Sequence, residues 1–256
     1  VNKPEVDLPA SVSPYDMQVY DMGHRNLRHF IGQGRVSLAW LAQDEVPCLY
    51  IYAQKMGAHL QYGVCGGVPV EDYATGVIKR HEKTQVKKEN DRTRLTYVQN
   101  ANVGPVFLTY RDSPEVDEIV QALTSVPPET GFTADDGIEH FVWPVRDPRD
   151  LHRLGRALEA VPCSYIADGH HRSASAFRRA QDLMKIKEAV ARGDVITGEE
   201  PFNFFLAVLF PAGQLQILGY NRVVRDLNGF TEMQFLERVA VCYTVLPVPA
   251  NQRAEP

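Results

Sequence analysis

The chain has 256 residues, 44% of them hydrophobic and 23% charged, an ordinary globular composition that supplies one large core or two small ones and lacks the signature of disorder. A formal net charge of −5 and a pI near 5.9 exclude a surface that is basic throughout, so general affinity for nucleic acid or anionic membrane has no compositional basis. Cys48, Cys65, Cys163 and Cys242 form no Cys-x-x-Cys pair, no apolar run approaches the roughly 18 to 20 residues of a membrane span, and no charged-then-apolar leader opens the chain.

Reduced, buried thiols and cytoplasmic residence are the resulting expectations. A chain that starts at Val1 and leaves a strand-like run through "VLPVPANQRAEP" also reads as a piece of a longer protein. Residues 1–47 form an N-terminal helical segment. In "DMQVYDMGHRNLRHFIGQG" the residues Val19, Met22, Leu27, Phe30 and Ile31 recur at helical spacing until Gly32 and Gly34 stop them.

Residues 48–247 read as the core. "CLYIYAQKM" and "HLQYGVCGGV" make a hairpin turning at Gly57, and "VEDYATGVIKRHE" starts as a helix. Next come a helix in "ENDRTRLTYVQNANVG", the strand "PVFLTY", and a helix opened by Ser113 as N-cap with Pro114 at its first position. "FTADDGIEHFVWPV" holds an Asp-Gly turn between strands, and Asp147 with Pro148 starts the helix "DPRDLHRLGRALEAV". "SYIAD" is a buried strand feeding a helix from about 170 to 191. "PFNFFLAVLF" is a strand buried on both faces, "QLQILGYNRVV" and "VCYTVLPV" are further strands around the helix "TEMQFLERVA", and 248–256 is a linker. Hairpins beside strand-to-helix crossings predict α+β with mixed sheets.

Chemistry concentrates in "SYIADGHHRSASAFRRA". A strand that meets a glycine and then a helix aims unpaired N–H groups, and the positive end of the helix dipole, beyond the strand end. Gly169 permits close approach, Arg172 offers a planar fork for phosphate oxygens, and His170, His171 and the first-turn hydroxyls Ser173 and Ser175 add donors. Asp168 belongs beside phosphate only if it holds a metal ion or a substrate hydroxyl. The plainer alternative makes Asp168 a helix cap and Arg172 half of a surface ion pair.

A second cluster, "GVIKRHEKTQVKKENDRTRL", sets seven basic residues against three acids in an otherwise acidic chain. His81-Glu82 is not a His-Glu-x-x-His zinc motif, because Gln85 stands where the second histidine belongs. Glu82 is a candidate general base or magnesium ligand, with His81 and Arg92 around a phosphate. The alternative is a solvated charged helix with ion pairs such as Glu89 to Arg92. Asn221 and Arg222, after "LQILGY", form a weaker third pair.

The string "YIADGHHRSASA" resembles the signature of a large family of bacterial and archaeal proteins catalogued as a domain of unknown function, whose members carry Ala-Asp-Gly-His-His-Arg. The resemblance extends to "GVIKRHEKT", "KENDRTR", "NANVGPVFLTY", "FTADDG", "EEPFNFFLAVLF" and "LQILGYNRVV", and so covers about Leu49 to Leu227. Members are similar, more distantly, to the ParB and sulfiredoxin superfamily, which includes free-serine kinases and holds nucleotide phosphates on a Gly-x-His/Arg-Arg turn. That implies a ParB/sulfiredoxin-like phosphate-binding core with Gly169, His171 and Arg172 on phosphate. Family chains generally begin earlier and run further.

Two functions follow as expectations. One is an ATP- or ADP-dependent kinase of a small hydroxyl compound such as free serine. Gly169, His170, His171, Arg172 and Ser173 with Arg92 and Arg222 would bind nucleotide phosphate, Asp168 and Glu82 would hold Mg2+, and Glu82, Asp168 and His81 would be catalytic. The other is a non-catalytic nucleotide-binding switch or partner module of ParB type. Expected partners are a nucleotide and a small-molecule substrate, with self-association left open and no membrane. Nucleic acid is disfavoured because no helix-turn-helix is evident, and sulfiredoxin-like redox chemistry is set aside because position 170 is His170 rather than cysteine.

Overall fold

The computed structural model describes residues 1–32, 41, 43–190, 197–219 and 222–249. After a 3-10 turn at Pro4–Asp7, helix α1 runs Met17–Phe30, with the Asp16 side chain accepting the N–H of Gln18. Its buried residues are Val19, Tyr20, Gly23 and Leu27, so of the expected apolar stripe Val19 and Leu27 face inward, Met22 is half-buried, and Phe30 and Ile31 at the helix end are exposed. Gly32 follows at φ +74°, while Gly34 lies outside the described residues.

The expected hairpin is β1, Leu49–Met56, and β2, His59–Pro69, with Met56 opposite His59 and Gly57 at φ +59° in the turn. The chain continues through α2 (Val70–Thr75), β3 (Ile78–Lys79), α3 (Val86–Gln99), β4 (Val106–Tyr110) and α4 (Pro114–Leu123). Then come β5 (Thr130–Thr133), β6 (Glu139–Val145), α5 (Pro148–Glu159), β7 (Ser164–Asp168), α6 (His170–Val190) and β8 (Phe204–Pro211). Asp147 caps α5 by accepting the N–H of Arg149, whereas Ser113 stands at the N-cap of α4 without a side-chain capping bond.

The strands join one 8-stranded sheet in the order β3-β7-β4-β8-β2-β1-β6-β5. β3/β7 and β4/β8 are parallel and the other pairs antiparallel, so the fold is α+β around a mixed sheet. Helices α4 and α5 press Val116, Ile119 and Leu154 against Ile51, Val64 and Trp143. Helices α2 and α6 press Tyr73, Ala174 and Ala180 against Leu108, Ile166 and Phe205. Alanines on α6 let the helix lie close to the strands, and each fully buried Leu, Ile or Phe contributes about 1.5–3 kcal/mol. β8 is buried on both faces, as its unbroken apolar run predicts.

The N-terminal segment docks on α3. The Tyr20 hydroxyl donates to Asp91 Oδ1 at 2.8 Å, and Gln99 Nε2 donates to the Val1 carbonyl at 3.0 Å. Gly23 makes this approach possible, since a Cβ there would stand 3.0 Å from a Leu95 methyl.

By compactness the chain divides into Val1–Leu215 and Gln216–Pro256. The second unit contains α7, Glu232–Ala240, opened by a capping box between Thr231 and Gln234. Two expectations are corrected in this part of the chain. The described residues of "QLQILGYNRVV" and "VCYTVLPV" form no strand, and Ile217 is 98% exposed and Tyr243 72%. Both segments have the apolar content of a strand but pair with no neighbouring strand among the described residues, and an unpaired β-segment has nothing to satisfy its backbone but water. Tyr220, Asn221 and residues 250–256, including most of the expected linker, lie outside the described residues. All four cysteines are free thiols, but the expected burial is corrected: Cys48, Cys65 and Cys163 are half-buried and Cys242 is exposed, because the last lies in a segment that pairs with no described strand. No described helix is long and apolar enough to cross a membrane.

Candidate functional site

β7 ends at Asp168, Gly169 takes φ +103°, and α6 begins at His170. The strand–glycine–helix turn expected from the sequence is therefore formed. Gly169 is needed twice over: L side chains avoid this dihedral, and a Cβ would stand 3.0 Å from Arg172 Nη2 and 3.1 Å from its Nε. The guanidinium lies folded back over the glycine, with Nη2 donating to Asp168 Oδ2 at 2.7 Å. Arg172 Nε is sealed from solvent with no acceptor.

The neighbouring side chains divide by role. Ser173 is fully buried, and its Oγ lies 3.2 Å from the carbonyls of both Gly169 and His170, inside the helix. Ser175 Oγ crosses to α3 and donates to the Glu89 carbonyl at 3.2 Å. His171 Nε2 accepts the N–H of Gln85, the N-cap of α3, at 3.2 Å. Tyr97 donates to Asp182 at 3.1 Å, and Arg178 donates to Asn90. These bonds clamp α3 to α6, so the two sequence clusters ride on helices locked together.

Within the second cluster the expected Glu89–Arg92 pair is not formed. Glu89 accepts from Thr84 Oγ1 at 2.6 Å and stands 3.8 Å from Arg178. Arg92 instead donates through Nη1 to the Asn2 carbonyl at 2.9 Å, with Nε 3.7 Å from Asp91. Tertiary partners outbid the i,i+3 neighbour, whose worth on an exposed helix is only about 0.2–0.5 kcal/mol.

Both clusters open into one cleft of about 550 Å³. Glu82 and Arg92 line it with Asp168, Gly169, His170, His171 and Arg172. The cleft also takes in Lys88, Tyr20, Asn2 and the loop Asn102–Gly104, none of which stood out in the sequence as a site residue. The signal for that loop was its asparagine–glycine content: Gly104 sits at φ +82°, and Asn102 Nδ2 donates to the Phe204 carbonyl at 3.1 Å. Burial, with Asp91 accepting from its hydroxyl, pushes the Tyr20 phenol up to about 12. Arg222 belongs to the second unit.

His170 is the buried member, only 5% exposed. Its ring meets His81 edge-on at 4.4 Å between centroids, and its Nδ1 is 3.9 Å from Glu82 Oε2. Its Nε2 is sealed with no hydrogen-bond partner. Desolvation, reinforced by His81, holds the imidazole below the usual histidine range against the opposite pull of Glu82 and Asp168. One nitrogen from each imidazole and a Glu82 oxygen all lie within 4.8 Å of one another.

Compared with known protein families, residues 1–255 match the one described as "Protein of unknown function (DUF1015)". No curated protein and no solved structure matches the chain.

Proposed function

The chain belongs to the DUF1015 family, and from that starting point we propose that it binds the phosphates of a nucleotide, ATP or ADP, and passes a phosphoryl group to a small hydroxyl compound such as free serine. The observation that carries this reading is the convergence, in one cleft, of a helix N-terminus, the guanidinium groups of Arg92 and Arg172, and the carboxylates of Glu82, Asp91 and Asp168, from two sequence clusters that lie far apart in the chain. A volume of about 550 Å³ suits a ligand of nucleotide size. The α6 N-terminus and the unpartnered Nε of Arg172 are donors for phosphate oxygens. The turn would then work as the phosphate seat of a ParB/sulfiredoxin-like core.

In the transfer, the substrate hydroxyl oxygen bonds to the terminal phosphorus, the bond to the nucleotide's bridging oxygen breaks, and the hydroxyl proton passes to Glu82 or Asp168. Magnesium, when bound, neutralises charge on the transferring phosphate, and carboxylates such as Asp168 and Glu82 are the oxygen ligands it requires. Arg92 and Arg172 hold the phosphates in line, and His81 supports Glu82. Positioning and charge neutralisation account for most of the acceleration.

A switch without chemistry is the second reading. The Asp168–Arg172 ion pair favours it, because a phosphate that captures Arg172 must break that pair and so change the turn. Calorimetry with ATP, ADP and GTP, with and without magnesium, on the native chain and on Arg172→Ala, tests both. Magnesium-dependent binding lost in the variant supports the phosphate seat, and phosphoserine formation from ATP and serine then selects the kinase. Absence of binding to every nucleotide overturns both readings.

A further inference from the structure

We infer that His81, Glu82 and His170 form a site for a first-row divalent transition metal, of the zinc, cobalt or iron(II) class, in the wall of the cleft. Three potential ligand atoms, two of them imidazole nitrogens, lie within 4.8 Å of one another. An ion with bonds of about 2.0–2.2 Å closes such a set by drawing its members inward by an ångström or so. The set can close, because His81 and Glu82 are exposed side chains on the connection between β3 and α3. His170 is fixed in place by burial and supplies the rigid anchor.

A second observation points the same way. The His170 Nε2 is buried and unpartnered, and its Nδ1 stands 3.9 Å from Glu82, beyond hydrogen-bonding length. A buried polar atom left unpaired is destabilising, so a chain that packs an imidazole here has reason to give it a ligand. An edge-to-face pair of imidazoles beside a carboxylate is also a poor arrangement of cores and surfaces but a good donor set.

The donors decide the class of ion. Magnesium and calcium take oxygen ligands, and two imidazoles in three donors turn the preference to zinc, cobalt, nickel or iron(II). Two histidines and one carboxylate leave coordination positions open, and Glu82 and His170 both line the cleft, so those positions face the space beside the α6 N-terminus. The bound ion is therefore a Lewis acid for a water molecule or an anion there. Asp168 stays outside this set, so with the transition metal on Glu82 it is Asp168 alone that remains as oxygen ligand for magnesium arriving with a nucleotide and as acceptor of the hydroxyl proton. The site does not depend on a nucleotide being the ligand of the cleft.

The test uses the full chain, stripped with chelator and free of nucleotide. Co2+ is titrated while its visible d–d absorption is followed, and Zn2+ is titrated by calorimetry. One equivalent of each binds, excess Mg2+ does not displace it, and His81→Ala and Glu82→Ala each weaken it by at least the roughly 10–100-fold that even outer partners of metal ligands cost. These two variants carry the test because their side chains are exposed and the fold does not rest on them, whereas His170→Gln alters the interior. His59→Ala, at the start of β2, leaves the affinity unchanged. No stoichiometric binding, unchanged affinity in His81→Ala and Glu82→Ala, or displacement by Mg2+ overturns the inference. Metal binding in a chain that ignores every nucleotide leaves it standing while removing the kinase.

Discussion

Arg172 Nη2 and Asp168 Oδ2 meet at 2.7 Å across the boundary between β7 and α6, so the guanidinium of the turn already has a carboxylate against it. Asp168 is 74% exposed in its side chain, and an ion pair between solvated partners is worth about 0–1 kcal/mol. A charge-assisted bond to phosphate is worth about 1.5–3 kcal/mol. On the proposed reading an incoming phosphate would therefore win the guanidinium and release Asp168 for the cation that accompanies it.

Substitutions at the pair should separate by sign. Arg172→Ala weakens nucleotide binding about ten- to hundredfold, the equivalent of one charge-assisted contact. Asp168→Asn removes the competitor for Arg172, so affinity for inorganic pyrophosphate without magnesium rises while the magnesium-dependent part of nucleotide binding disappears. Calorimetry with both ligands reads the two effects. Equal loss in the two variants would mean that the pair acts only as a structural tie.

Gly169→Ala places a methyl group at φ +103° and within 3.0 Å of the Arg172 guanidinium. The dihedral alone costs about 1–3 kcal/mol, and the guanidinium must also swing away from Asp168. Urea midpoints and nucleotide affinity should fall together. Gly57→Ala, at φ +59° in an open hairpin turn with nothing within 4 Å, should show the stability loss alone.

Glu200 gives a pH signature remote from the cleft. Its carboxylate is held at about 2, first by the Lys187 ammonium and then by the backbone N–H groups of Glu200 itself and Thr197. A folded value below the unfolded one means that the stabilisation is fully present above the ordinary value of 4.5 and is lost as the pH falls through about 2. The native chain should therefore exceed Glu200→Gln in urea midpoint near neutrality, and the gap should close progressively in acid. A gap independent of pH would show that Lys187 contributes nothing through charge.

The elements most legible in sequence were those whose pattern matched a complete local environment. Asp147-Pro148 starts α5 as read, and "PFNFFLAVLF" is apolar throughout because β8 lies inside the sheet, its edges paired with β2 and β4 and its Phe205 and Ala207 packed in the cluster under α2 and α6. "LQILG" and "VCYTVLPV" carry the same strand-like content, but periodicity identifies a face that could be buried without saying whether a neighbour exists to bury it. At the site, the strand–glycine–helix turn was legible because its geometry is local. The partnerships of Arg92 with Asn2, and of His170 with His81 and Glu82, were not, since each joins residues about ninety apart in the chain and exists only once the N-terminal segment has docked on α3 and the β3–α3 connection lies beside the start of α6.

The parallel register of β4 and β8, with Val106 beside Ala207, closes a loop of about a hundred residues. Pairings of such separation form late and slowly, after local helices and hairpins have appeared. Phe205 and Leu206 on β8 line the same cleft as Asn2 near the other end of the unit. A nascent chain therefore lacks one wall of the cleft until β8 has left the ribosome, and any fragment that ends before Phe205 lacks it too.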